Sequence, residues 1–194
     1  MLSGIILAAG ESSRMDGRVK QLLRIGKSNF IETIIFKLKA LKLSEIVVVL
    51  GANSDLIVQN TDFADCTAII NPNWRDGQLS TLKCAVEKLS SSSEGFLLNP
   101  CDCPLVKIET YKSIIERWLN DKEKIVIPAF KGKKGHPSIF PSRFYGNILN
   151  DELPEGARTL IEKNQKDVCL LEVDDENVTT DIDTYTDYEK AVEQ

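Results

Sequence analysis

Arg14 and Lys20 stand near the N-terminus of this chain, just after the apolar run Ser3-Gly4-Ile5-Ile6-Leu7 and the small-residue turn Ala8-Ala9-Gly10-Glu11-Ser12-Ser13. A guanidinium meets phosphate oxygens as a planar fork and an ammonium meets them as a point charge. Small residues after a buried strand let backbone N–H groups approach an anion without Cβ obstruction. Together they suit a triphosphate whose leaving portion must be held as it gains charge. The turn lacks the GKS or GKT of a Walker loop and the second and third glycines of a dinucleotide fingerprint. An ordinary strand-to-helix turn with surface basic residues is the competing reading.

A carboxylate forms the other half of the chemistry. Asp102 lies in Asn99-Pro100-Cys101-Asp102-Cys103-Pro104, where the two prolines restrict the backbone, and a preorganised carboxylate suits Mg²⁺. A turn or helix N-cap aspartate has the same appearance. A second acidic group comes late, in Thr180-Asp181-Ile182-Asp183-Thr184-Tyr185-Thr186-Asp187. Mg²⁺ on nucleotide phosphates takes one or two protein carboxylates, so Asp102 with Asp181 or Asp183 is a sensible set. Thr184 and Asp187 have the spacing of a capping pair for the last helix, a role compatible with a metal nearby. The five cysteines (Cys66, Cys84, Cys101, Cys103 and Cys169) and the single histidine, His136, make poor zinc-ligand material. Reduced, mostly buried thiols are expected.

The elements that must position these groups follow from periodicity. Continuous apolar runs predict strands at Ile46 to Leu50, Thr67 to Ile70, Gly95 to Leu98, Lys124 to Ile127 and Val168 to Val173. Helical spacing predicts helices at Asn29 to Leu43, Gln78 to Leu89 and Ile108 to Leu119, with shorter ones at Ser142 to Leu149, Ala157 to Asn164 and Asp187 to Glu193. Lys131 to Pro137 reads as a turn before a hairpin or strand switch at Ser138-Ile139-Phe140, and Ser90 to Ser93 as a surface loop. Alternating strands and helices predict an α/β fold: one three-layer α/β/α domain with a mostly parallel sheet covered on both faces. Ligands of such sheets bind beyond the carboxyl ends of the strands, which is where Arg14, Lys20 and Asp102 fall.

Composition excludes several classes. A 194-residue chain with 42% hydrophobic and 27% charged residues is globular and expected to be one domain. Its net charge of -5 argues against a broad nucleic-acid surface. No apolar stretch approaches the roughly 20 residues of a membrane span, so a cytoplasmic location is expected.

Six motifs in order carry a resemblance. They are Leu7-Ala8-Ala9-Gly10-x-Ser12-x-Arg14-Met15 with Lys20, Asn71-Pro72-x-Trp74-x-x-Gly77-x-x-Ser80, Asp102-x-Pro104-Leu105-Val106, Gly132-x-x-Gly135-His136-Pro137, Gly156-Ala157-Arg158 and Asp181-Ile182-Asp183-Thr184. This set resembles the molybdopterin cytidylyltransferases, within the nucleotidyltransferase superfamily and its glycosyltransferase-A-like (Rossmann-like) fold. The resemblance implies CMP transfer from CTP to the terminal phosphate of molybdopterin or molybdenum cofactor, with Mg²⁺ and release of pyrophosphate. It implies that Leu7, Ala8, Ala9 and Gly10 contact base and ribose, Arg14 and Lys20 the triphosphate, and Asn71, Gly77 and Ser80 the nucleotide. Arg14, Lys20 and Asp102 would be catalytic; Asp102 with Asp183 or Asp181 would hold metal; His136 and Arg158 would face the acceptor. Residues 1–106 would form the nucleotide part and 107–194 the acceptor part. A recipient molybdenum hydroxylase or its chaperone is the implied partner.

Ala9 stands where the guanylyl branch usually has a second glycine, which favours CTP, whereas the spacing to Lys20 is closer to the guanylyl branch. Leu153-Pro154-Glu155 replaces an acidic pair that often precedes Gly-Ala-Arg in the family. Competing readings are a guanylyl- or cytidylyltransferase acting on another phosphorylated acceptor such as a sugar phosphate, and a nucleotide-binding chaperone without catalysis. Trp74 could stack on a base or anchor the rim, and Trp118 has the spacing of core packing.

Overall fold

The strand β1 (Leu2–Ala8) is buried at every position, and its side chains divide between two cores. Ile6 and Ala8 join one apolar cluster, Ile5 and Leu7 the other. The same split holds for Val48 and Leu50 against Val47 and Val49, and for Leu97 against Phe96 and Leu98. A strand with period two that is apolar on both faces must be covered on both, which is why these runs read as continuous.

The computed structural model describes residues 1–193. After β1 come a two-residue hairpin, β2 (Arg24–Ile25) and β3 (Ser28–Asn29), then α1 (Phe30–Ala40), β4 (Ile46–Leu50), α2 (Ser54–Gln59), β5 (Thr67–Ile70), α3 (Gln78–Lys88) and β6 (Gly95–Pro100). The second half holds α4 (Ile108–Leu119), β7 (Ile125–Phe130), β8 (Lys133–Lys134), β9 (Ser138–Pro141), α5 (Tyr145–Asn150), α6 (Ala157–Lys163), β10 (Val168–Glu172) and α7 (Tyr185–Val192). The large sheet has the order β10-β7-β9-β6-β1-β4-β5, with β8 paired to β7. Every neighbouring pair on that path is parallel except those of β9, which runs antiparallel to both β6 and β7. Side chains of α1 and α4 pack into one core and those of α3, α5 and α6 into the other, giving three layers.

Several boundaries move. The strand expected at Gly95 to Leu98 continues to Pro100, because a proline can end a ladder where its missing N–H is not needed. The strand expected from Lys124 runs instead from Ile125 to Phe130. The helix expected over Ser142 to Leu149 divides into a 3₁₀ turn, Ser142–Phe144, and α5. The last helix begins two residues early, since Thr184 and Asp187 form a reciprocal capping box that starts it at Tyr185. Helix α2 has no counterpart among the expected elements: it is six residues long and buries only Ile57. Of the cysteines, Cys101 and Cys103 are buried, whereas Cys66, Cys84 and Cys169 are half-buried; all five are free thiols.

β1 has β4 on one side and β6 on the other, so successive connections leave it in opposite directions. The loops after β1 and β6 lead to α1 and α4 in one layer and the turn after β5 leads to α3 in the other, and a crevice lies between them at the carboxyl ends of the strands.

Candidate functional site

Where β1 ends, the chain turns at Ala9 and Gly10 and wanders to Val19 before a short 3₁₀ turn at Lys20–Leu22. A loop of this kind needs internal ties, and Gln21 supplies them. Its side chain, 2% exposed, donates from Nε2 to the carbonyls of Ala8 (3.0 Å) and Gly10 (2.8 Å). Its Oε1 accepts from Ser12 Oγ (2.9 Å), and Ser12 Oγ accepts from the Lys20 backbone N–H (3.0 Å). Buried amide groups of this sort fix a loop because each lost bond leaves an unsatisfied polar atom.

The fixed loop aims Lys20 at two carboxylates. Lys20 Nζ lies 3.2 Å from Asp102 Oδ2 and 3.0 Å from Asp183 Oδ1, and Arg14 reaches Asp183 Oδ2 at 3.1 Å. Burial alone would pull the Lys20 ammonium down; Asp102 and Asp183 outweigh it and hold its pKa above the ordinary value. Partial burial pushes Asp183 up, and the bonds from Lys20 and Arg14 outweigh that in turn, keeping its carboxyl below the usual range. The two acidic loops are joined directly: Ile182 N–H donates to the carbonyl of Asp102 at 2.9 Å. Asp102 is a turn residue and does not cap α4, whose N-cap is Lys107.

Asp181 points to a different partner. Its Oδ1 accepts from Cys103 Sγ at 3.2 Å, and Asp102, Cys103 and Asp181 bring one ligand atom each within 4.8 Å of one another. Burial pushes the Cys103 thiol far above its usual range, so it serves as a donor to the carboxylate. Oxygen donors from Asp102 and Asp183, already converging on one cation, fit a hard divalent ion such as Mg²⁺ better than a set that includes a protonated thiol.

Beside this cluster is a cavity of about 600 Å³. Leu7, Ala8, Ala9, Gly10, Lys20, Asp102 and Gly77 line it, together with Gln21, Trp74, Arg75, Gln78 and Thr81. Arg14, with a side chain 66% exposed, and Asp183 stand outside the lining and meet it through Lys20. Asn71 and Ser80, expected at the nucleotide, are placed behind the wall. Asn71 is buried, donates to Ser80 Oγ (2.9 Å) and Thr81 Oγ1 (3.2 Å) and accepts from Asn73 N–H. Ser80 Oγ donates in turn to the carbonyls of Asn73 and Gly77 at 2.8 Å. These bonds brace the turn that presents Gly77, which has a φ of 92° and so favours glycine. Trp74 is half-buried on the cavity wall with Arg75 stacked 4.2 Å above its ring.

A second cavity, about 510 Å³, lies on the β7 and β9 side and is lined by both His136 and Arg158. Leu98, Ile127, Phe140 and Ile161 give it an apolar wall. His136 is held by its backbone N–H on the carbonyl of Val178 (2.7 Å), burial lowers its pKa, and its buried Nδ1 has no hydrogen-bond partner among the described residues. Arg158 is exposed and lies between Glu155 and Glu162, 3.1 Å from each. Gln78, at the start of α3, lines both cavities.

Residues 4–168 match the model of a protein family described as the MobA-like NTP transferase domain. A Bacillus anthracis protein named "Probable molybdenum cofactor guanylyltransferase" is 30% identical over 171 residues, covering 84% of this chain and 82% of that one. A longer relative offers another match: "Bifunctional protein GlmU" of Clostridium perfringens is 24% identical over 128 residues, 63% of this chain and 27% of its own length. The chain thus spans about a quarter of that relative. Among solved structures, Rv0371c from Mycobacterium tuberculosis superposes with a TM-score of 0.87 at 22% identity, covering 100% of this chain and 98% of that one. No helix of the described residues is long and apolar enough to cross a membrane.

Proposed function

The chain belongs to the MobA-like NTP transferase domain family, and from that premise we propose that it transfers CMP from CTP to the terminal phosphate of molybdopterin or molybdenum cofactor, releasing pyrophosphate. The observation that carries this reading is the meeting of Lys20 with Asp102 and Asp183 at the mouth of a cavity floored by Leu7 to Gly10. In the proposed mechanism the Leu7 to Gly10 backbone and Gly77 hold base and ribose, and Arg14 and Lys20 steady the triphosphate. Asp102, with Asp183 or Asp181, would hold Mg²⁺, which supplies neutralisation of the phosphate charge when bound. The acceptor phosphate attacks the α-phosphorus in line and pyrophosphate leaves opposite, so the protein contributes positioning and charge and needs no covalent nucleophile.

The acceptor would enter the second cavity, where His136 and Arg158 meet it. That division corresponds to a nucleotide part over residues 1–106 and an acceptor part over 107–194 of one domain. Asp181 and Asp183 are the exception, reaching back from the second part to the first. Cytosine is supported by Ala9, a lining residue of the cavity that stands where the guanylyl branch usually has a second glycine. A guanine donor is the second reading, favoured by the name of the 30% identical relative.

Incubating the protein with molybdenum cofactor, Mg²⁺ and each of CTP, GTP, ATP and UTP, then weighing the product, tests both. A CMP adduct is expected, and a GMP adduct would replace the base assignment. Asp102→Ala should abolish pyrophosphate release while leaving the circular dichroism spectrum unchanged. Near-normal turnover would remove Asp102 from the site.

A further inference from the structure

Lys37 lines neither cavity, yet its ammonium is more closely engaged with the Asp102 loop than any other side chain of α1. Nζ donates to the carbonyls of Pro104 (2.6 Å) and Val106 (2.7 Å). The peptide unit that joins Val106 to Lys107 is then gripped from its other end. Lys107 N–H donates to Asp175 Oδ2 at 2.9 Å, and Thr110 Oγ1 donates to the same oxygen at 2.7 Å. Asp175 is itself buried and is fixed by donors from Asn177 on its second oxygen. A single peptide thus has a cation on its carbonyl and an anion on its N–H, an arrangement in which each bond polarises the other.

We propose that Lys37 is a positioning residue for Asp102: with Asp175, it sets the turn from Pro104 to Lys107 and thereby the direction in which the Asp102 carboxylate faces Lys20 and Asp183. The apolar side chains of α1 (Ile31, Ile34, Ile35 and Leu38) share one core cluster with Cys103 and Val106, and Lys37 adds directed hydrogen bonds to this packing. A half-buried ammonium is an expensive way to pack a helix unless its donors are used. Here both carbonyls it satisfies lie within four residues of the proposed metal-holding carboxylate. The inference rests on the reading of Asp102 as that carboxylate.

The test compares Lys37→Met and Lys37→Arg with the parent chain, by pyrophosphate release and by Mn²⁺ binding followed through the electron paramagnetic resonance of the free ion. Lys37→Met should lower kcat about tenfold or more, as small misplacements of a reacting group do. Nucleotide KM should stay within about threefold, since the nucleotide loop is untouched. Mn²⁺ affinity should weaken several-fold. Lys37→Arg should recover most of both losses, because a guanidinium fork can donate to two carbonyls. Unchanged kcat and Mn²⁺ affinity in Lys37→Met would overturn the proposal, as would a loss of turnover with Mn²⁺ affinity intact that Lys37→Arg does not recover. If Lys37→Met does not fold, Lys37→Gln, which keeps a donor, takes its place in the same comparison. Asp102→Asn separates the two levels: if it retains turnover and Mn²⁺ binding, the metal reading fails, whereas if it loses both while Lys37→Met keeps them, only the positioning role fails.

Discussion

Lys20 is bonded to both carboxylates that would hold a divalent ion, so in the free protein an ammonium occupies the centre of their shared field. On the proposed reading a metal arriving there would displace it, and Lys20 would be freed to meet the triphosphate. Removing the ammonium removes the competitor. Lys20→Met should therefore bind Mn²⁺ about tenfold more tightly than the parent without nucleotide, as expected for removing one charge a few ångströms from the ion, while losing turnover. Calorimetric titration with Mn²⁺ reads this directly; a weaker affinity in the variant would mean that Lys20 helps to organise the carboxylates and does not compete for them. That Lys20 and Asp102 fall at the same end of the sheet was legible in sequence, because charged residues at strand ends stand out against apolar runs; their ion pair, and the return of Asp183 to it, were not. Gln21 was not, since a neutral amide beside a lysine carries no pattern, and only its 2% exposure and its bonds to Ala8 and Gly10 reveal its work. Asn71 and Ser80 do different work in the free protein. They belong to the motif, but their polar atoms are spent on the turn behind the cavity wall.

Elements meet tightly at Gly51, just after β4. A Cβ there would lie 2.6 Å from Trp74 Cβ, 2.7 Å from the carbonyl oxygen of Ala9 and 2.8 Å from Ala9 Cβ, so the ends of β1 and β4 and the Trp74–Asp76 turn have room only for hydrogen. Gly51→Ala forces backbone to move, which costs about 1–3 kcal/mol by the usual scale of overpacking. Because the displaced backbone is Ala9, nucleotide KM should rise together with the fall in stability. Urea denaturation and initial-rate kinetics on the same variant check both, and a fall in stability with unchanged KM would uncouple Ala9 from nucleotide binding. The long elements were readable because each fills a face of one core: Phe30, Ile31, Ile34, Ile35 and Leu38 recur at helical spacing along α1. The pieces that escaped, α2 and the β2–β3 hairpin, are too short for a period to register. The strand switch at β9 announced itself by the Lys131 to Pro137 turn, but its antiparallel seat between β6 and β7 depends on partners far away in sequence.

At the scale of the whole molecule, the chain closes its site by bringing the C-terminal segment back over the first loop. Ile182 binds Asp102, Asp183 binds Lys20 and Arg14, Arg18 stacks 3.8 Å from the centre of the Tyr185 ring, and Tyr188 Oη donates to the carbonyl of Arg24 at 2.9 Å. Lys37 and Asp175 form a similar long-range link on the other side of the Asp102 loop, and its electrostatics give the fold a measurable pH dependence. Burial pulls the Lys37 ammonium down to about 8 from an ordinary 10.5, with Asp175 opposing the shift. Below pH 8 both folded and unfolded chains carry the proton, and the folded one bears the full cost of burying the charge. Between about 8 and 10.5 the unfolded chain binds more protons than the folded one, so the contribution of Lys37 to stability rises with pH across that window and is level above it. At about 1.4 kcal/mol per unit the rise is at most about 3 kcal/mol. Lys20, shifted the opposite way, and the raised tyrosines change both chains alike, so they cancel when the parent is compared with Lys37→Met. Urea unfolding of the two at pH 7, 8, 9 and 10 should show the parent gaining on the variant as pH rises. A difference that stays flat would mean that the two carbonyls, and not the charge, decide how Lys37 is held.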